Sequence, residues 1–124
     1  MNKVPSRWRI CLNPDCRIGF IPKNPLARCH CDDCRARLNY LFKLAKKFGV
    51  KDVFEWKYNY AILKSFLDRG RYLTTEEELI EYGFDINALD APIEDNGVKS
   101  SAFKIGNIYL VAIKSKILKI VSNG

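Results

Sequence analysis

Five cysteines stand close together near the start of this 124-residue chain, and the chain contains no others. They form two groups, CLNPDC at residues 11–16 and CHCDDC at residues 29–34. Thiolates that approach from two tight turns are the usual ligands of a structural zinc ion, which takes four of them tetrahedrally. The N-terminal residues lack the apolar stretch of a secretion signal, so we expect a cytoplasmic protein whose thiols bind metal and do not form disulfides.

The spacing of the cysteines predicts which of them bind the metal. Cys11 and Cys16 form a C-x4-C pair around an Asn-Pro-Asp turn. Cys31 and Cys34 have the C-x2-C spacing that is commonest for zinc, and Cys34 would lie in the first turn of a helix, whose positive end stabilises a thiolate. Zn2+ bound by Cys11, Cys16, Cys31 and Cys34 is therefore the prediction, with Cys29 or His30 in place of Cys31 left open.

Two helices are expected behind this group. Residues 35–48 carry apolar side chains at helical spacing and end at Gly49, and the remaining positions are strongly basic. Residues 51–69 have a broader apolar surface and end at Gly70, which indicates a central, buried helix.

The C-terminal part predicts a short acidic helix and a hairpin. Thr74 and Thr75 are candidate N-caps for the helix in YLTTEEELIEYGF, residues 72–84, and a second short helix is expected over residues 87–93. An Asn-Gly turn at residues 96–97 then leads to a hairpin around Gly106-Asn107, with a further strand over residues 116–121.

The charge of the chain is unevenly distributed. Its net charge is +7, but residues 1–48 hold 11 Lys and Arg against three Asp and Glu, whereas residues 49–124 hold 10 against 11. A basic N-terminal part suits a polyanion, and nucleic acid, most simply DNA, is the commonest one. The residues expected to contact phosphate are Arg7, Arg9, Arg35, Arg37, Lys43, Lys46 and Lys47.

The first cysteine group resembles half of a known zinc finger. The CGNR finger of bacterial DNA-binding proteins begins C-x-N-P-D-C-x-x-x-F, and Asn13 to Cys16 together with Phe20 match it. The second half departs, because Arg35-Ala36-Arg37 stands where that family has Gly-Asn-Arg, and its wider C-x4-C pair would favour Cys29 over Cys31. The resemblance covers about 40 residues and implies a treble-clef zinc finger.

The C-terminal part resembles the excisionase and MerR-like winged helix. The matching positions are Leu73, Thr74, Glu77, Leu79, Phe103, Lys104, Ile105 and Gly106. That family reads DNA with a helix, but from Tyr72 to Val98 this chain has eight acidic residues and no Lys or Arg, so phosphates would repel the segment. An acidic surface over residues 76–95 better suits a protein partner.

Together these observations predict an α+β protein with a zinc finger and basic helix at residues 1–49. Residues 50–124 would form a helical and β-hairpin module that is winged-helix-like. The predicted function is that of a zinc-stabilised nucleic-acid-binding protein, a small bacterial or phage regulator of transcription. The alternative is a protein-interaction adaptor that uses the acidic surface, with a purely structural zinc. An enzyme is not expected, because His30 is the only histidine in the chain. A membrane span is not expected either, because no apolar run reaches the roughly 18 residues that one requires.

Overall fold

A computed structural model describes residues 8–89, 94–95, 98–99, 102–114 and 116–122 of the chain. These residues form three helices and eight strands, all of whose pairings are antiparallel, and this confirms the predicted α+β class. The chain divides into two compact units, the first ending at Leu41 and the second beginning at Phe42. The division falls within a helix, ahead of the boundary predicted after residue 49.

The first unit contains a two-stranded ribbon and the start of a long helix. Strands β1 (Arg9–Ile10) and β2 (Gly19–Phe20) pair with each other. Helix α1 (Asp32–Lys47) then begins with two aspartates and ends with two lysines, which complements the helix dipole at both ends. Gly49, at φ +78°, ends the predicted basic helix as expected.

Helix α2 (Phe54–Asp68) is the centre of the second unit. Its side chains from Tyr58 to Leu63, together with Ser65 and Phe66, are buried, and it packs against three strands of the C-terminal sheet. Asn59, a buried polar residue, donates to the carbonyls of Asp85 and Ala88 and accepts from the Asp85 amide. The predicted central, buried helix is thus confirmed.

Four strands form the C-terminal sheet in the order β3-β8-β7-β6. The strands are β3 (Leu73–Thr74), β6 (Ala102–Ile105), β7 (Ile108–Lys114) and β8 (Ile117–Ser122). The predicted hairpin is confirmed, since β6 and β7 pair around the Gly106-Asn107 turn, and β8 is the predicted further strand. Strands β4 (Glu94–Asp95) and β5 (Val98–Lys99) pair separately.

Helix α3 (Glu76–Glu81) is shorter than the acidic segment from which it was predicted. Thr75 is its N-cap, and the Thr75 hydroxyl accepts from the Glu78 amide at 3.1 Å. The preceding residues, Leu73 and Thr74, are in a strand, because they pair with β8. Residues 87–89, the described part of the helix predicted over residues 87–93, form a turn and a bend, so the prediction was wrong there. Residues 90–93 and the Asn96-Gly97 turn lie outside the described residues.

Candidate metal centre

Three cysteines and the histidine form a cluster in the first unit. The ligand atoms of Cys11, Cys16, His30 and Cys34 all lie within 4.8 Å of one another. His30 Nδ1 is 3.3 Å from Cys16 Sγ and 3.4 Å from Cys34 Sγ. Tetrahedral zinc with ordinary bond lengths places its nitrogen and sulfur ligands about 3.6 Å apart, and its sulfurs about 3.8 Å apart. The donor types and their spacing therefore fit one tetrahedral metal ion.

A tight turn positions the first two ligands. The carbonyl of Asn13 accepts from the Cys16 amide at 2.9 Å, and the buried Asn13 side chain accepts from the Asp15 amide at 3.0 Å. The Cys11 amide donates to the carbonyl of Ile18 at 2.9 Å and so closes the ribbon behind the turn. The Asn-Pro-Asp sequence thus forms the predicted turn between Cys11 and Cys16.

The other two ligands come from the entry into α1. His30 lies just before the helix, and Cys34 lies in its first turn, as predicted. The two ligand segments are joined by a hydrogen bond of 3.0 Å from the Leu12 amide to the Arg28 carbonyl. The ring of Phe20 stands edge-on to the imidazole, with 6.5 Å between the ring centroids. Phe20, which the finger resemblance singled out, therefore helps to orient a ligand.

The cluster differs from the predicted ligand set in one member. It contains His30, which had been left open as an alternative, in place of Cys31. Cys31 is exposed, and its sulfur accepts from the Cys34 amide at 3.5 Å, an N-cap contact at the start of α1. Because the Cys31 side chain turns back to the helix end, it does not join the four ligand atoms. The C-x2-C spacing of Cys31 and Cys34 therefore places an N-cap residue and a cluster residue at the start of α1, and not two metal ligands.

The thiols in and beside the cluster have very different pKa values. Burial acts to raise the pKa of Cys11, but hydrogen bonds with His30 and Asn13 outweigh burial and lower that pKa to about 7. Burial raises the pKa of Cys34 to about 12. Burial, followed by repulsion from Cys11, raises the pKa of Cys29 to about 11. A metal ion bound by Cys34 must therefore displace its proton, which makes metal affinity depend on pH.

The arginines predicted to bind phosphate have partners within the protein. The Arg37 Nε donates to Asp15 Oδ2 at 2.8 Å, and each side chain is only 27% exposed. Arg9 donates to the Ala27 carbonyl at 2.8 Å, and Arg35 pairs with Asp32 at 2.8 Å at an exposed position. Arg9 and Arg37 thus each join two separate segments of the first unit, and Arg7 lies outside the described residues.

The lysines predicted to bind phosphate are exposed on α1. Lys43, Lys46 and Lys47 all have accessible side chains. Tyr40, one turn before Lys43, is half exposed, and the Arg37 guanidinium lies 5.6 Å from its ring centroid. Tyr40 was not among the residues predicted from the sequence, although an aromatic side chain among basic residues is a signal visible in the sequence.

No protein-family model, curated protein or solved structure matches this chain. Among the described residues, no helix combines the length and the apolar character needed to cross a bilayer.

Proposed function

We propose that this protein is a zinc-stabilised nucleic-acid-binding protein that acts as a small regulator of DNA transactions, including transcription, in a bacterium or phage. The observation that carries the proposal is the row of exposed lysines on α1, a helix whose first turn supplies a ligand of the metal cluster.

Zinc is the metal that the donor set favours. Three thiolates and one imidazole are soft and borderline ligands, and this combination is common in tetrahedral structural zinc sites. Four protein donors fill the tetrahedron, which leaves no position for a water or a substrate. The site therefore suits a structural zinc, and we assign the metal no catalytic role.

The exposed surface of α1 has the chemistry of a phosphate-binding helix. We call Arg35, Lys43, Lys46 and Lys47 the α1 basic face; all four side chains are accessible. Residues three or four positions apart are neighbours on a helix, so Lys43 lies beside both Lys46 and Lys47. A helix fits the major groove of DNA, and lysines along it bind the phosphate backbone without reading sequence.

Duplex binding by wild type and a charge-reversed variant tests the proposal. We expect Lys43→Glu/Lys47→Glu to weaken binding of a random duplex by at least about tenfold at about 50 mM salt, and to reduce the salt slope of log K by about two. Lys46 is kept because, after Lys57, it contributes to the lowered pKa of Asp52, whereas no such effect is seen for Lys43 or Lys47. Fluorescence anisotropy with the metal-loaded protein measures both quantities.

The matched control is Lys23→Glu/Lys51→Glu, which makes the same change in net charge at exposed lysines outside α1. This control should retain most of the affinity if the α1 basic face is the contact. Absence of duplex binding by wild type at low salt would refute the proposal, and equal losses in the two variants would show that only the total charge matters.

A protein-interaction adaptor is the second candidate, and the surface of α3 favours it. Glu76, Glu77 and Glu81 are exposed there, and Ile80 between them is 50% exposed. An exposed apolar side chain on the same short helix as several carboxylates suits a basic protein partner. The same DNA assay separates the candidates, because an adaptor of this kind predicts no duplex binding even at low salt.

A further inference from the structure

The four-stranded sheet has one buried face and one face that is largely accessible. Side chains alternate between the two faces of a sheet, and paired residues on neighbouring strands share a face. Ile105, Ile108, Leu110 and Ile120 share one face by this rule and are all buried, on a sheet that packs against α2. The other face carries the alternate residues of the same strands.

The open face has two cross-strand rows. Tyr109 pairs with Lys104 on one side and with Val121 on the other. Lys119 pairs with both Val111 and Leu73 in the second row, which ends at the buried Ala102. Lys104, Lys119, Val121 and Leu73 are exposed, and Tyr109 is partly so. We call these two rows the open sheet face.

The charge on this part of the chain has one sign. Residues 102–122 contain four lysines and no Asp or Glu. The lysines are Lys104, Lys114, Lys116 and Lys119, and each is exposed. Within the described part of the chain, no ion pair involves any of the four. Their charges therefore remain available to a ligand.

A shallow cavity of about 570 Å³ continues the second row beyond the sheet edge. It is lined by Gly70, Arg71, Tyr72, Leu73, Ile113 and Lys119. The Arg71 guanidinium donates to both carboxylate oxygens of Glu78, at 2.8 and 3.0 Å. Of the two cations that line the cavity, Lys119 is therefore the one without an ion-pair partner among the described residues. Tyr72 is 56% exposed at the rim. The cavity thus combines an accessible aromatic ring with a cation.

We propose that the open sheet face, with this cavity at its edge, binds single-stranded nucleic acid. Bases stack on the rings of Tyr109 and Tyr72, while Lys104 and Lys119 bind the phosphates between them. Unpaired bases can stack on aromatic side chains of a sheet, whereas the bases of a duplex are already stacked on one another. The accessible lysines of this surface suit a polyanion better than a protein partner, because lysine is depleted at protein–protein interfaces.

This surface lies wholly in the second unit and requires neither the metal cluster nor the α1 basic face. The two proposals therefore fail separately: duplex binding tests the helix, and single-strand binding tests the sheet.

The experiment uses the full metal-loaded chain and labelled oligonucleotides of about 15 nucleotides, a length that spans the usual site sizes. Oligo-dT, oligo-rU and a duplex of equal length are titrated by fluorescence anisotropy at about 50 and 200 mM salt. Comparison of oligo-dT with oligo-rU distinguishes DNA from RNA as the natural strand. The variants are Lys104→Glu/Lys119→Glu, Tyr109→Ala and Tyr109→Phe, and the charge-matched control is Lys23→Glu/Lys51→Glu. Circular dichroism melting establishes that each variant is folded.

We expect the sheet lysine variant to lose at least about tenfold in single-strand affinity, and Tyr109→Ala at least about fivefold, the lower end of what stacking contributes. Tyr109→Phe keeps the aromatic face and should bind as wild type does. Lys43→Glu/Lys47→Glu should retain most single-strand affinity.

The proposal is overturned if wild type binds neither oligo-dT nor oligo-rU at low salt. It is also overturned if the sheet lysine variant binds like the charge-matched control, or if a folded Tyr109→Ala variant binds like Tyr109→Phe.

Discussion

The Nδ1 atom of His30 lies 3.3 Å from the Sγ atom of Cys16, across the 14 positions that separate the two residues. An imidazole therefore occupies the place at which a fourth thiolate was predicted. With zinc bound, three thiolates and a neutral histidine give the site a charge of about −1, whereas four thiolates would give about −2. The lower negative charge would repel phosphate less, which agrees with the nucleic-acid binding proposed for α1.

The identity of the fourth ligand is open to a direct test. We expect His30→Ala to weaken zinc binding by more than about a hundredfold, since loss of a ligand should exceed the 10- to 100-fold effect of outer contacts. Cys31→Ser should leave zinc affinity close to that of wild type, because the serine hydroxyl can still cap α1. Competition titration with a chromophoric chelator measures both affinities, and native mass spectrometry counts the bound ions, of which we expect one.

Cys29→Ser is the control for the general effect of losing a thiol near the cluster. A retained ion in His30→Ala, together with a lost ion in Cys31→Ser, would instead support the all-cysteine site. Loss of the ion in Cys29→Ser alone would support the wider pair that the CGNR resemblance favours.

The metal cluster shows what cysteine spacing can and cannot predict. The sequence sufficed to place Cys11 and Cys16 on a tight turn, because Asn13 has a strong local preference for the hydrogen bonds that close it. Spacing did not separate His30 from Cys31, which are adjacent in the chain. Their side chains point in different directions at the start of α1. Cys31 caps the helix and His30 joins the cluster, and the spacing of residues along the chain does not determine which of them does which.

The fold shows the same division between local and long-range information. Helices α1 and α2 were predicted close to their observed bounds, because apolar periodicity and the glycines after them are local signals. Strand β3 was not predicted, because Leu73 and Thr74 are strand residues only through their pairing with Lys119 and Leu118, far along the chain. The open sheet face likewise depends on cross-strand register, which periodicity alone does not supply.

The ion pair between Arg71 and Glu78 predicts a pH-dependent stability. The Arg71 hydrogen bonds hold the pKa of Glu78 below its usual value near 4.5. A lowered folded-state pKa contributes stability that is present above the unfolded pKa and is lost as the pH falls through the folded pKa. We expect Glu78→Gln to lower the free energy of unfolding by about 0.5–1 kcal/mol at neutral pH, since both side chains are partly exposed. The difference from wild type should shrink below about pH 4.5 and vanish at more acidic pH.

Urea denaturation of metal-free protein at several pH values measures this difference without a contribution from metal loss. Glu77→Gln removes the same charge from the same helix turn at an exposed position, and it should change stability little at any pH. A cost of Glu78→Gln that stays constant from neutral to acidic pH would contradict the ion-pair explanation.

The turn between β6 and β7 requires glycine at position 106 both for its backbone conformation and for the space that a Cβ would occupy. Gly49 has the first requirement only, so the two energetic costs can be measured separately. Gly106 has φ +60°, and a Cβ there would lie 2.9 Å from Val50 Cγ2 and 3.0 Å from Tyr60 Cε2. Gly49 has φ +78° but no atom within 4 Å of such a Cβ. We expect Gly49→Ala to cost about 1 kcal/mol for the backbone conformation alone, and Gly106→Ala about 2–3 kcal/mol because overpacking is added. Urea denaturation of both variants measures the difference, and equal costs would mean that Val50 and Tyr60 yield without loss of packing.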